Sequence, residues 1–201
     1  MIVLCSNGLT SESLLEEIRK CVRNAKKAAL VVTADHEYKE NNYHVARCAK
    51  ELSLLGLQVE CFDFDTQAAE ELLKYDVVEM IGGNPYYLLH SLRINNAQKV
   101  LEKIADKKLL IGWSAGALVL GPTIAVIEQF CPEMNFLHLN DLSALNLTDI
   151  QVVPHYKKFL GKYEDFEEKC RSYEKKEHCS VIRLSDGEGI IIDDRVSLIR
   201  I

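Results

Sequence analysis

The stretch with the clearest chemistry in this 201-residue chain is Gly112-Trp113-Ser114-Ala115-Gly116. An apolar run, Leu109-Leu110-Ile111, stops at a glycine, a serine follows two residues later, and small residues open a helical stretch. This is G-x-S-x-G spacing, which places a serine on a sharp strand-to-helix turn with its hydroxyl exposed. Backbone N–H groups at the start of the helix then face any oxyanion formed beside the serine. The same small residues would also serve a tight strand-to-helix connection with no chemistry in it. The rest of the chain has to decide between the two readings.

A serine hydroxyl is a weak nucleophile and needs a base within hydrogen-bond reach, itself held by a third group. Six histidines are available. His44 and His90 fall inside expected helices, His178 in a charged segment and His138 in an irregular one. His36 and His155 each follow an expected strand, where a catalytic loop residue belongs, and Pro154 stiffens the delivery of His155. For the third group, the connection Ser185-Asp186-Gly187-Glu188-Gly189 offers two acids, and its glycines permit close approach. Asp141 and Asp149 are the substitutes.

The elements that must position these residues alternate along the chain. Strand-like apolar runs occur at residues 1–5, 28–33, 57–62, 77–81 and 109–111. Helical patterns lie between them at about 13–25, 41–55, 66–74, 86–93 and 97–105, the first expected to start on a Ser13/Glu16 capping box. Such alternation predicts an α/β fold, a mostly parallel sheet with helices on both faces. Ligands of such sheets lie at the carboxyl ends of the strands, where loops 33–40, 82–85 and 112–116 would converge. Beyond an irregular stretch at 121–146, a short strand at 151–153 delivers His155, and 163–177 reads as a charged helix. Residues 180–184, 189–193 and 196–201 read as strands, the last two joined at Asp193-Asp194 and forming an antiparallel extension. One domain over residues 1–201 is expected.

Composition narrows the function classes. A net charge of −6 without a basic run argues against a nucleic-acid partner. No apolar run reaches the roughly 18 residues of a membrane span, and residues 1–5 are too short for a signal peptide. Seven scattered cysteines without C-x-x-C spacing suggest reduced thiols in a cytoplasmic protein. The histidines lack metal-ligand spacing, so no metal site is expected.

Four stretches taken in order, Ile81-Gly82-Gly83-Asn84, Gly112-Trp113-Ser114-Ala115-Gly116-Ala117, Pro154-His155-Tyr156 and Gly187-Glu188-Gly189, resemble peptidase family S51, the dipeptidase E and cyanophycinase group of serine hydrolases. The resemblance covers nearly the whole chain. It implies a flavodoxin-like three-layer αβα sandwich, related to class I glutamine amidotransferases, which carry a cysteine at the elbow. It implies Ser114 as nucleophile, His155 as general base and Glu188 as the orienting acid, with backbone N–H groups of Gly83 and Ala115 as the oxyanion hole. Asn84 and Tyr156 would contact a small peptide substrate, and no metal or organic cofactor is called for. A homodimer is compatible with it. The order Ser114, His155, Glu188 also differs from the serine, acid, histidine order of an α/β-hydrolase. Dipeptidase E relatives prefer an N-terminal aspartate, which an arginine between the family histidine and glutamate is thought to hold. Here that position falls among Glu164, Asp165, Glu167 and Glu168, and Arg171 is spaced to pair with Glu167. Neutral or basic first residues are therefore expected. The alternatives are an esterase or cyanophycin-type hydrolase, and a catalytically silent sandwich that binds a small molecule or partner.

Overall fold

Short apolar runs that alternate with amphipathic stretches can bury both faces of each strand only if helices cover the sheet on both sides. The computed structural model, which describes residues 1–193 and 197–201, has this arrangement. Strands β1 (Ile2–Cys5), β2 (Lys27–Val31), β3 (Gln58–Phe62), β4 (Val77–Met80) and β5 (Leu109–Trp113) pair in parallel. β8 (Gly189–Asp193) runs antiparallel to β1, and β9 (Ser197–Arg200) antiparallel to β8, giving the order β3-β2-β4-β5-β1-β8-β9. Side chains alternate along each strand between two cores. Val3, Leu30, Ile111 and Trp113 pack under α1 (Glu12–Cys21) and α2 (Tyr43–Leu54). Leu4, Val31, Met80 and Leu110 pack under α3 (Pro85–Ile94), α4 (Gln98–Lys107), α5 (Ala115–Leu120) and α7 (Phe166–Glu177). Three layers result, with the sheet in the middle.

Several local expectations are corrected. The cap of α1 is Ser11, whose hydroxyl accepts from Leu14 N–H, and Ser13 lies inside the helix. Residues 69–74 form a 3₁₀ helix, with Thr66 left in the preceding turn. A helix absent from the sequence reading, α6 (Tyr156–Lys162), begins directly after His155. Strand β7 (Val181–Arg183) does not join the main sheet but pairs in parallel with β6 (Gln151–Val153), so this two-stranded unit holds His155 over the carboxyl edge. Asp194 and Val196, part of the expected last turn and strand, lie outside the described residues. No helix among the described residues is long and apolar enough to cross a membrane.

Among the described residues, one charged side chain is fully buried within a strand. It is Glu79 of β4, and among the described residues neither carboxylate oxygen has a partner at normal hydrogen-bond geometry. Cys48 and Glu51 of α2 offer donor atoms within 4.8 Å of it, and Arg47 pairs with Glu51 at 2.5 Å. One arginine cannot neutralise two buried carboxylates, and a proton on Glu79 balances the group. Burial first, and the Glu51 charge second, push the Glu79 carboxyl up to about 8. The linkage has a definite sign. Below its ordinary value of 4.5, Glu79 is protonated in both states; between 4.5 and about 8 only the folded chain keeps the proton. Stability should therefore fall as pH rises from about 5 to 8, by up to a few kcal/mol, and level off above. Glu79→Gln should flatten that slope. Thermal midpoints of both proteins at pH 5, 6, 7 and 8 check it, and parallel curves would contradict it.

Candidate active site

Ser114 lies just beyond the carboxyl end of β5, with φ 50 and ψ −113. A non-glycine residue there costs on the order of 1–3 kcal/mol and persists only where its surroundings hold it. Its N–H donates to Cys5 O at 3.2 Å, and its carbonyl accepts from Leu118 N–H at 3.1 Å as α5 begins. The tight bend also needs Gly116, where a Cβ would stand 2.2 Å from Met80 O. That is the physical reason for small residues on the helix side of the serine.

His155 reaches this serine from β6. Its Nε2 is 3.1 Å from Ser114 Oγ, and its Nδ1 is 2.7 Å from Asp186 Oδ1. A carboxylate only accepts, so Nδ1 carries the proton and Nε2 presents its lone pair to the serine hydroxyl. The backbone of His155 is left-handed, φ 57, and turns the chain from β6 into α6. Ser6, at the end of β1, ties the arrangement together. Its hydroxyl accepts from His155 N–H and donates to Asp186 Oδ1, both at 2.8 Å. Next to it, Asn7 Oδ1 accepts from Gly187 N–H at 2.9 Å, pinning the turn that carries Asp186. Burial pushes the Asp186 carboxyl up, but the Ser6 hydroxyl and the His155 ring outweigh it, and the net shift is downward. Asp186 is therefore ionised wherever the protein is folded near neutrality.

The residue expected to face His155 from this turn was Glu188, and the structure places it elsewhere. Glu188 Oε2 accepts from Ser185 N–H at 2.8 Å and closes the turn from inside. Two acids separated by one residue on a tight turn project in different directions, and it is Asp186 that reaches the imidazole. Asp141 instead pairs with Arg93 at 3.0 Å. His36 packs its ring against Tyr87 and Phe136.

The turn after β4 lies on the other side of Ser114. Gly83 is exposed with φ 149, and a Cβ there would meet Ala34 O at 2.4 Å, so both backbone and space require glycine. Asn84, expected to touch substrate, is buried and committed to the fold. Its Oδ1 accepts from Tyr86 and Tyr87 N–H to cap α3, and its Nδ2 donates to Met134 O at 2.7 Å. It holds the turn that presents Gly83. The Tyr156 ring packs 5.9 Å from Phe166. It lines an open recess of about 560 Å³ with Glu167, Arg183 and Glu188.

A third wall comes from the start of α2. Arg47 lies over the Trp113 ring at 5.4 Å, and His44 meets its edge at 5.2 Å. Burial, then the electrostatic influence of the neighbouring Arg47, His155 and Lys158, holds the His44 ring below its ordinary value. Sequence reasoning preferred Glu188 over Asp186 within this turn, and it missed Ser6 and this wall. A Ser-Asn-Gly turn at the carboxyl end of the first strand was the available signal for Ser6.

A strand-to-helix elbow on a mostly parallel sheet, with a serine, a histidine and an aspartate in hydrogen-bonded series at its carboxyl edge, is an α/β arrangement of the kind hydrolases use. The model of peptidase family S51 matches residues 2–199, and the chain belongs to that family. It is 39% identical over 122 residues to Uncharacterized peptidase Lmo0363 of Listeria monocytogenes serovar 1/2a, an alignment spanning 58% of this chain and 60% of that one. It is 29% identical over 143 residues to Peptidase E of Shewanella baltica OS185, spanning 71% of this chain and 58% of that one. The chain thus spans about 60% of the length of these curated relatives. A 1.5 Å crystal structure of a Listeria monocytogenes EGD-e protein, assigned provisionally to peptidase E, superposes with a TM-score of 0.80 at 29% identity. It covers all of this chain and 96% of that one. A peptidase from an acI-B1 Actinobacterium shares the fold, with a TM-score of 0.67 at 19% identity.

Proposed function

We propose that the chain is a serine-type peptidase that hydrolyses the peptide bond of dipeptides or short peptides through an acyl-enzyme on Ser114. The observation that carries this reading is the continuous path from Ser114 Oγ to His155 Nε2 at 3.1 Å and from His155 Nδ1 to Asp186 at 2.7 Å. His155 takes the hydroxyl proton as Oγ attacks the carbonyl carbon, and the negative charge of Asp186 stabilises the imidazolium. The oxyanion forms between the N–H groups of Gly83 and Ala115. One such donor is typically worth about 2.7–4 kcal/mol of barrier. His155 then gives its proton to the leaving amine. Water enters on the same side, loses a proton to His155 and frees the acyl group, and the serine recovers its proton.

Arg171 does not supply a fixed cation for an acidic first residue. It is largely exposed, and its Nε donates to Glu167 at 3.2 Å. Asp-Leu is expected to be cleaved no more than tenfold better than Ala-Leu, a margin of about 1.4 kcal/mol, and Arg171→Ala should not change the ratio. The test combines fluorophosphonate labelling with kcat/KM on free and N-blocked dipeptides. A protein that neither labels nor turns over any of them would overturn the proposal.

A further inference from the structure

The direction of the reaction assigns sides to the cleft. His155 must hand its proton to the leaving nitrogen, so the leaving half of a peptide lies on the His155 side, over β1 and β8. The acyl half then lies on the opposite side, over Gly83 at the end of β4 and, beyond it, the end of β2. In the sheet, β4 is hydrogen-bonded between β5 and β2, with Met80 opposite both Gly112 and Val31.

Three rings from three separate segments meet there. His36 follows β2, Tyr87 is in the first turn of α3, and Phe136 follows the 3₁₀ turn Pro132–Met134. Ring centroids are 5.2 Å apart for His36 and Tyr87, 5.0 Å for His36 and Phe136, and 6.3 Å for Tyr87 and Phe136. The segments are fastened to the Gly83 turn. Asn84 N–H donates to Ala34 O at 2.8 Å, Asn84 Nδ2 holds Met134 O, and the Tyr87 hydroxyl donates to Asp65 at 2.7 Å. Phe136 is nevertheless 45% exposed, and His36 is exposed. An aromatic surface left in water along the same sheet edge as the reacting serine is suited to a ligand that covers it.

We propose that this cluster is the subsite for the residue on the acyl side of the scissile bond, and that it takes an aromatic side chain. The inference rests on the Ser114–His155 reading above and names the substrate class for it. Strands about 4.8 Å apart put the end of β2 roughly 10 Å from that of β5. One extended residue of about 3.5 Å and a benzyl group bridge that distance, and a fourth ring can stack at the usual 4.5–7 Å. Two charged groups beside the rings, Lys39 and Asp35, are already engaged and offer little to an ionic side chain. Lys39, 5.2 Å over the Tyr87 ring, pairs with Asp63 and Asp65. Asp35 accepts from Glu37 and Tyr38 N–H and from the Asn42 amide.

The test compares kcat/KM for Phe-Ala, Ala-Phe, Lys-Ala and Ala-Ala in the wild type, Phe136→Ala, Phe136→Tyr and His36→Ala, with thermal midpoints as the folding control. Phe-Ala should exceed Ala-Ala at least tenfold in the wild type. The ratio should fall toward one in Phe136→Ala, fall in part in His36→Ala and survive in Phe136→Tyr, while Ala-Phe gains nothing. Turnover of Ala-Ala with no gain for Phe-Ala, a gain that survives both alanine variants, or a larger gain for Lys-Ala or Ala-Phe would overturn the subsite and leave the peptidase reading standing. Absence of both turnover and fluorophosphonate labelling would take both down together.

Discussion

Replacing Ser114 by alanine is expected to abolish fluorophosphonate labelling and to lower kcat on a cleaved dipeptide by several orders of magnitude. In serine peptidases loss of the nucleophile can reach the order of 10⁶. The fold should persist. The side chain is short, its hydroxyl is engaged among the described residues by His155 Nε2 alone, and alanine keeps the backbone bonds to Cys5 and Leu118. The strained φ of 50 is set by those bonds and by the close approach of Gly116 to Met80, not by the hydroxyl. An alanine variant that unfolds at the wild-type temperature, binds peptide and does not turn it over is the expected phenotype. Labelling retained by Ser114→Ala would mean that another nucleophile reacts, and the elbow would then be only a tight connection.

How much of this was visible in the residues depends on how local each determinant is. The elbow is local: a strand, a glycine, a serine and a small-residue helix start are contiguous, and Leu109–Trp113 followed by Ala115–Leu120 matches that reading. His155 was also legible, because a strand and a proline deliver it. Asp186 was not, because the choice between it and Glu188 depends on how a turn folds. Gly187, at φ 89, bends the chain between them. Ser6 touches residues about 150 and 180 positions away, and nothing in its own neighbourhood announces that. Helix α6 is short, carries Gly161 and has no fully buried residue, so it lacks the periodic stripe that would mark it. Glu79 has the opposite problem: it sits in an apolar strand whose pattern is otherwise complete.

The second large effect separates the two acids of that turn. Asp186→Asn is expected to cost up to about 10⁴ in kcat, as loss of the corresponding carboxylate does in a serine-histidine-aspartate triad. The amide would occupy the same space but can donate to Nδ1, which favours the tautomer with its proton on Nε2. That nitrogen then faces Ser114 with a hydrogen and cannot take another. The Asp186 side chain is 46% exposed, so water can compensate in part and the loss should stop short of that for Ser114→Ala. Glu188→Gln should be mild, below about tenfold, because a glutamine carbonyl can still accept from Ser185 N–H and keep the turn closed. The measurement is kcat for both variants on one dipeptide, with melting temperatures to show that each is folded. A crippled, folded Glu188→Gln beside a nearly normal Asp186→Asn would return the orienting role to Glu188. It would mean that the turn rearranges when substrate binds.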